Sequence, residues 1–465
     1  MICHGRSQRQ RLQCHTDARR SADVCGDFQR CSPLVHDRLL AEPPSAPSSF
    51  TQSARGLFCW VSILAIAGTV TASEIAMTND GQSFVADFER IDSDWNFHFR
   101  VANQPQRIHL SQLTRWGEYA DAIGENYVCL ADGGYFVGEV QRISADTMSI
   151  YAEPWGQIET NRRGIRGVVI IPPAAALKRD LLLRQIEQAS GINDVVLLRN
   201  GDQLTGRAIA LDNQDNGHPE SLQLVRRPSE RPLTVAWQDV TAIIFTPALL
   251  DPVRTQRTSA VVGLHTGTLL NIESVSVDAG TAELVLAGGQ TLRCESKAIW
   301  DEVRFIQPQT GQLTYLSDLK PSSYKHIPFL RLSWSWASDR NVLGGRLRAN
   351  RSISLKGIGM HSSARITYPL EGRYRNFLAE LALDEQAGLG GSVTFQVFLK
   401  GQSATSSDRW TLAYKSPPVR GGQAPLPISV DVVDAKQLAL IVGFADRGDQ
   451  LDYANWLNAR LVPMR

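Results

Sequence analysis

Residues 357–362 read Gly-Ile-Gly-Met-His-Ser, and residues 446–456 read Asp-Arg-Gly-Asp-Gln-Leu-Asp-Tyr-Ala-Asn-Trp. Between these two stretches, apolar and polar residues alternate in short runs, as in residues 393–398 (Val-Thr-Phe-Gln-Val-Phe). Alternation with a period of two is typical of strands, and the Gly and Asp residues that separate the runs are typical of tight turns. The last third of the chain is therefore predicted to be a β domain.

This segment resembles the NPCBM family of carbohydrate-binding modules over about residues 318–463. The resemblance is carried by Gly357, Gly359, His361, residues 391–397 (Gly-Ser-Val-Thr-Phe-Gln-Val), Asp452 and Trp456. Residues 315–319 and 341–345 look like the lead-in of a planctomycete-type subgroup of exported proteins. The resemblance implies a β-sandwich over residues 316–465, of the galactose-binding-like jelly-roll type, with carbohydrate as its ligand.

Four positions depart from the family pattern. Glu385 replaces a second Asp, Lys400 replaces an Asp before Gly, Tyr453 replaces a His, and Asn455 replaces an acidic residue. These departures favour an alternative in which the sandwich has lost its affinity for sugar.

The middle of the chain repeats one pattern four times. Each repeat has a Gly-containing turn followed by an apolar strand; the turns are residues 79–82, 131–134, 199–202 and 265–268. Asn-Gly and Asp-Gly pairs tolerate positive φ and favour β-hairpins. The spacing resembles that of tandem small Sm-like β-barrels, so about four such repeats are predicted over residues 74–308.

One helix is predicted to interrupt these repeats, over residues 173–190. Proline precedes the helical run and Gly191 follows it, which is the usual asymmetry of helix ends. Leu177, Leu181 and Ile186 are predicted to lie near one face, with the charged residues on the other. The helix is interpreted as a connector between the second and third repeats or as a docking helix for a partner.

The composition places the whole chain in the all-β class. Its 465 residues suffice for several domains, with 36 Gly and 22 Pro and few long helical patterns. The predicted fold is a row of small β-barrels followed by a β-sandwich. The formal net charge of +1 gives no reason to expect a nucleic-acid partner.

An apolar run at residues 57–68 follows Arg55 and precedes Val-Thr-Ala at 70–72. This arrangement predicts a signal peptide over residues 55–73 and hence an exported protein, in the periplasm, on the cell surface or secreted. A membrane anchor through residues 57–72 is the alternative. Residues 1–54 are expected to be disordered, or to result from a start codon assigned too far upstream.

Five of the seven cysteines precede residue 73, which leaves Cys129 and Cys294 in the exported part. Two cysteines form at most one bridge, so a disulfide scaffold is excluded, while the pairing of these two is left open. The chain also lacks a nucleophile elbow, a zinc-protease helix and a phosphate-binding loop. It is therefore predicted not to be an enzyme.

Candidate ligand-binding residues lie in the predicted sandwich. Aromatic rings provide flat faces for a pyranose, and the proposed sugar site consists of His361, Trp336, Trp410, Tyr453 and Trp456, with Trp334 as a further platform. Each Trp can equally belong to the core. Asp446, Asp449 and Asp452 are spaced by three, which makes them candidates for a Ca²⁺ site and equally for Asx turns.

The predicted function is that of an exported, non-enzymatic protein that binds a polysaccharide through its C-terminal sandwich. The alternative is a structural envelope protein whose β modules bind other proteins. A second alternative is an accessory subunit of a glycoside hydrolase.

Overall fold

A computed structural model describes residues 74–464 except for residues 123, 214–217, 227–230, 254–258, 329–331 and 402–408. The predicted disordered segment 1–54, signal peptide 55–73 and anchor 57–72 lie outside the described residues. Within them, strands dominate and the α-helices are short, so the all-β prediction is confirmed. No helix in this part of the chain combines the length and the apolar character needed to cross a membrane.

Residues 74–309 form four consecutive segments of strands. The first segment contains β1 (Glu74–Thr78), β2 (Ser83–Ile91), β3 (Asn96–Val101), β4 (Gln104–His109) and β5 (Leu113–Gly117). The second contains β6 (Tyr127–Leu130), β7 (Tyr135–Val137), β8 (Glu139–Ile143), β9 (Thr147–Ala152), β10 (Gly156–Asn161) and β11 (Ile165–Val169). There, Gly138 separates β7 from β8, and a Cβ at this position would lie 2.2 Å from the carbonyl oxygen of Tyr151, so a side chain does not fit without a shift.

The third segment contains β12 (Asp194–Leu198), β13 (Gln203–Asn213), β14 (Pro219–Val225), β15 (Pro232–Ala236) and β16 (Val240–Ile244). The fourth contains β17 (Ser259–Leu264), β18 (Leu269–Asp278), β19 (Thr281–Leu286), β20 (Thr291–Glu295), helix α2 (Ser296–Glu302) and β21 (Val303–Gln309). In the other three segments a 3₁₀ turn takes the place of helix α2.

The four segments share one antiparallel strand order. When β7 and β8 are counted as one strand, each segment has five strands. The first strand pairs with both the second and the fifth, as β1 does with β2 and β5. The third strand pairs with the second and the fourth. Each second strand carries a register shift, which increases its bend. That each segment closes as an Sm-like barrel stays a prediction.

The predicted turns all lie between the first and second strands of a segment. Gly81, Gly133, Gly201 and Gly267 have φ values of 88°, 88°, 92° and 87°. Each glycine N–H donates a hydrogen bond to the last residue of the preceding strand, as Gly81 does to the carbonyl of Thr78 at 3.0 Å. A glycine is required here because a side chain is disfavoured at such φ values.

Helix α1 (Ala176–Glu187) lies within the predicted range 173–190. Its orientation differs from the predicted one, because Arg179 and Asp180 are buried whereas Leu181 is 40% exposed. Ile186 is buried in an apolar cluster as predicted, but the helix also makes an ionic contact with residues 346–348. The interpretation of α1 as a plain connector is therefore incomplete, since it also binds the C-terminal part of its own chain.

That ionic contact joins three arginines to two aspartates. Asp180 accepts hydrogen bonds from Nε of Arg346 (2.7 Å) and from Nε and Nη2 of Arg348 (3.0 and 2.7 Å). Asp121 accepts one from Nη2 of Arg179 at 2.7 Å and also contacts both other arginines. Burial opposes ionisation, but the bonds and charges of the arginines hold the pKa values of both carboxyls below their usual range.

Residues 314–463 form the predicted sandwich. One sheet contains β22 (Thr314–Tyr315), β24 (Ala337–Ser338), β27 (Gly357–His361), β29 (Tyr374–Leu383), β33 (Leu426–Asp431) and β35 (Tyr453–Pro463). The other contains β23 (Ser323–His326), β28 (Ala364–Pro369), β30 (Ser392–Lys400), β31 (Trp410–Lys415), β32 (Val419–Arg420) and β34 (Gln437–Phe444). A hairpin of β25 (Leu347–Ala349) and β26 (Ser352–Ser354) carries Arg348 to helix α1.

The two sheets face each other across an apolar core. Trp456 of β35 lies within it, fully buried, with its ring centroid 4.9 Å from Phe395 of β30 and 6.2 Å from Phe377 of β29. Because these rings come from both sheets, residues 314–463 form a two-layer sandwich, as predicted. The more specific galactose-binding-like identification stays a prediction.

Candidate functional site

Four aromatic rings meet at one end of the sandwich. His361 ends β27, and its Cα partner in the neighbouring strand is Tyr453, the first residue of β35. The Trp334 ring lies parallel to the His361 ring, with centroids 4.8 Å apart and planes 2° apart. Tyr453 and His326 contact the stacked pair edge-on. We call these four residues the aromatic cluster.

Hydrogen bonds from β23 hold Trp334 in place. Its N–H donates to Nδ1 of His326 at 3.2 Å, and its carbonyl accepts from the hydroxyl of Tyr324 at 2.8 Å. Both bonds use main-chain atoms, so the indole ring itself is left to stack on His361. Trp334 is partly exposed, whereas His361 beneath it is only 5% exposed.

The cluster is polar as well as aromatic. Nδ1 of His361 is buried and has no hydrogen-bond partner among the residues that the structure describes. Burial lowers the pKa of His361, although the Ser362 carbonyl and the charge of Asp449 act in the opposite direction. Burial likewise lowers the pKa of His326. Both rings are therefore uncharged at neutral pH, and an uncharged imidazole offers one donor and one acceptor.

The predicted sugar-site residues divide into three groups. His361 and Tyr453 lie in the aromatic cluster. Trp336 is partly buried against the sandwich core. Trp410 pairs with Lys400, the last residue of β30. The first residue of β30, Ser392, bonds to Asp452, which precedes Tyr453 of the cluster. The structure does not bring Trp410 to the other predicted residues.

Trp456 cannot contact a ligand in this structure, because it is fully buried in the core. Its inclusion in the sugar site was wrong, and its place between Phe377 and Phe395 is the physical reason. For Trp456, the alternative that the ring belongs to the apolar core therefore holds.

The three predicted Ca²⁺ ligands are not assembled around one point in this structure. Asp446 accepts hydrogen bonds from the Ser392 hydroxyl and from Arg420, which together lower its pKa to about 2. Asp452 is buried and accepts a bond from the Ser392 N–H at 2.9 Å. Across the described ranges, no group of three or more His, Cys, Asp or Glu side chains is arranged to hold a metal ion. Asp446 and Asp452 instead hold the loop through hydrogen bonds with Ser392 and Arg420.

Two departures from the family pattern have structural roles outside the cluster. The amide of Asn455 donates to Oδ2 of Asp384 at 2.9 Å, and both residues are fully buried. A carboxylate at position 455 would instead place two buried acids in contact. Glu385 accepts a hydrogen bond from the N–H of Arg351 in the β25–β26 hairpin.

Sequence reasoning named Trp334 as a further platform and expected it to share a strand face with Trp336 if that stretch is extended. Residues 332–336 are not a strand, so the two rings have separate environments. His326 and Tyr324 were missed because neither belongs to a motif. Cys129 and Cys294, whose pairing was left open, are free thiols.

Residues 312–462 match the model of the NPCBM/NEW2 domain family. A curated relative, "Putative endo-alpha-N-acetylgalactosaminidase" of Renibacterium salmoninarum, is 28% identical over 107 residues. The match covers 23% of this chain and 6% of that protein, so this chain spans a small fraction of the relative's length.

Two solved structures from Clostridium perfringens are also similar. The CBM51-2 and INT domains of ZmpB with GlcNAc are 26% identical, over 41% of this chain and 39% of that one, with a TM-score of 0.28. The CBM51 of a GH95 protein with methyl-galactose is 22% identical, over 32% of this chain and 99% of that one, with a TM-score of 0.27. The fold assignment rests on the strand pairing, and the family match adds the identity: the C-terminal third of this chain is an NPCBM/NEW2 domain.

Proposed function

We propose that the protein binds carbohydrate at the loop end of its C-terminal sandwich, through the aromatic cluster. The observation that carries this proposal is the parallel stack of partly exposed Trp334 on buried His361. A pyranose has an apolar face of C–H groups that packs on an aromatic ring, and a ring already fixed in position loses little entropy on binding.

The polar groups at the cluster fit the rest of a sugar. Hydroxyl groups require both donors and acceptors in fixed positions, and an uncharged His361 supplies both kinds. Nδ1 of His361 is buried and has no hydrogen-bond partner among the described residues. Asp449 adds a carboxylate whose charge acts on both histidines. The proposed site therefore combines a stacking face with directed hydrogen bonds.

The family match supports carbohydrate as the ligand, because NPCBM modules are carbohydrate-binding modules. The departures from the family pattern leave most of the cluster intact. Lys400 lies at the end of β30 far from Ser392, and the side chain of Asn455 bonds to Asp384 rather than to a ring of the cluster. Tyr453 alone lies within it, where it keeps an aromatic ring in the place of the family's histidine.

The decisive experiment compares two tryptophan variants of the full chain. Trp334→Ala removes the stacking face, whereas Trp410→Ala removes a partly exposed tryptophan at the other end of the sandwich. Methyl-galactose, GlcNAc and a panel of polysaccharides serve as probes, in calorimetry and retention assays. We expect Trp334→Ala to weaken binding about tenfold or more, since one large apolar contact contributes roughly 1.5–3 kcal/mol. Equal effects of the two variants, with normal melting, would contradict the proposed site.

We further propose that the protein is exported and has no catalytic activity of its own. Hydrolysis of the same polysaccharides by the purified chain would contradict the second statement. Export predicts a mature N-terminus near Ser73, which N-terminal sequencing of protein recovered outside the cytoplasm would test.

A second candidate function is that of an accessory to a glycoside hydrolase. The observation that favours it is the similarity of 107 residues to a protein named as a glycosidase. If this candidate is right, adding the chain to a hydrolase should raise its rate on an insoluble polysaccharide. The rate on a soluble fragment of the same polysaccharide should not change.

A further inference from the structure

A cavity of about 970 Å³ lies between the repeats and the C-terminal domain. Its walls come from the second and fourth segments, from helix α1, and from residues 339–356 before β27. None of the four residues of the aromatic cluster lines it. Its volume is within the range of small-molecule sites, which favour domain interfaces.

One part of the wall is apolar. Leu183 and Ile186 of helix α1 face a set of aliphatic side chains from the other elements: Leu130, Val261, Leu269, Leu313 and Leu355. Cys129 also lines the cavity, and burial raises the pKa of its thiol to about 12. A ligand with an apolar body would remove this surface from water.

The charged residues of the wall form ion pairs, with one exception. Arg340 pairs with Glu187, and Lys356 pairs with Asp318 and with Asp339 at 2.9 Å. Arg346 is bound by Asp121 and Asp180 in the ionic contact with α1.

Arg166 is the exception. Its guanidinium donates to two main-chain carbonyls, those of Ala131 (3.3 Å) and Glu187 (3.2 Å). Among the described residues, no carboxylate forms an ion pair with it. A carbonyl oxygen accepts a hydrogen bond but does not neutralise a cation. The lining therefore carries one guanidinium without an ion-pair partner next to its apolar wall.

We propose that this cavity binds an amphipathic anion, a molecule with an apolar body and one carboxylate, sulfonate or phosphate group. The apolar body lies against Leu183, Ile186 and Leu269, and the anionic group pairs with Arg166, whose planar fork suits such oxygens. This site is separate from the proposed sugar site.

The test is a fluorescence titration of the full chain with 11-(dansylamino)undecanoic acid, with its methyl ester as the uncharged match. We expect saturable binding of the acid with about one site per chain. Arg166→Gln should weaken binding of the acid about tenfold, the size of one charge-assisted hydrogen bond, and leave the ester nearly unchanged. Arg163→Gln, an exposed arginine outside the cavity, is the control.

Thiol labelling of the wild-type chain localises the probe without any variant. Bound acid should slow the modification of Cys129 severalfold, measured by peptide mass spectrometry. Cys294 does not line the cavity and should be labelled at an unchanged rate. Absence of saturable binding, or binding that leaves Cys129 labelling unchanged, would overturn the site. Equal loss of acid and ester in Arg166→Gln would overturn the role of the charge.

Discussion

The C-terminal domain has two buried contacts built from opposite kinds of side chain. Its two sheets meet through apolar residues such as Phe395 and Trp456. The domain meets helix α1 through Arg346 and Arg348 against Asp180. An apolar contact tolerates imperfect direction, whereas a buried charge is stable only when its hydrogen bonds are made. The two contacts should therefore respond differently to substitution.

The largest expected effect is in the apolar core. Trp456→Ala should lower the free energy of unfolding by about 3–5 kcal/mol, because it removes a fully buried ring and leaves a cavity between the sheets. Urea denaturation of the full chain measures this. Trp336→Ala, which removes a partly buried ring, should cost clearly less; equal costs would mean that burial is not what distinguishes the two rings.

The ionic contact should be nearly as sensitive. Asp180→Ala leaves Arg346 and Arg348 buried without their principal acceptor, and we expect a loss of about 3 kcal/mol. Lys178→Ala, on the exposed face of the same helix, is the matched control and should change stability little. A loss below about 1 kcal/mol in Asp180→Ala would indicate that water readily replaces the aspartate.

A third prediction compares Asp180 with a buried acid that has no arginine. Burial raises the pKa of Asp452 to about 6, and the bond from Ser392 only partly opposes this. A carboxyl whose folded-state pKa is raised contributes stability at low pH and loses it as the pH rises through about 6. Asp452→Asn keeps an oxygen for the Ser392 N–H but cannot ionise.

The variant should therefore gain about 2 kcal/mol relative to the wild type between pH 4 and pH 8, since one pKa unit corresponds to about 1.4 kcal/mol. Melting temperatures across this range measure the gain. A difference between the two proteins that does not change with pH would show that Asp452 ionises as easily in the folded state as in the unfolded chain.

The difference between local sequence patterns and contacts across the fold explains how much of the fold could be predicted from the sequence. The sandwich strands were readable because alternation along residues 393–398 is a local signal. The four turns were readable because Gly81 and its equivalents need positive φ. Helix α1 was found, but its buried face was not, because Asp180 meets Arg348 across 168 positions and no local pattern reports such a pair.

Only part of the candidate site could be predicted from the sequence. His361 and Tyr453 belong to family motifs and were found, and they meet because β27 and β35 are neighbours. Trp456 also belongs to a motif, but a motif does not tell which side of a strand faces the core. His326 comes from a different sheet and joins the cluster only through the fold.

The smallest expected effect separates burial from charge pairing. Arg142 donates to Glu159 at 3.1 Å, but their side chains are 62% and 50% exposed. Water already solvates both groups, so Arg142→Ala should cost no more than about 0.5 kcal/mol, and added salt should reduce even that. Urea denaturation at low and high salt, alongside Asp180→Ala, provides the comparison. If the exposed pair proved as costly to break as the buried one, attraction between opposite charges rather than burial would account for the contact between helix α1 and the C-terminal domain.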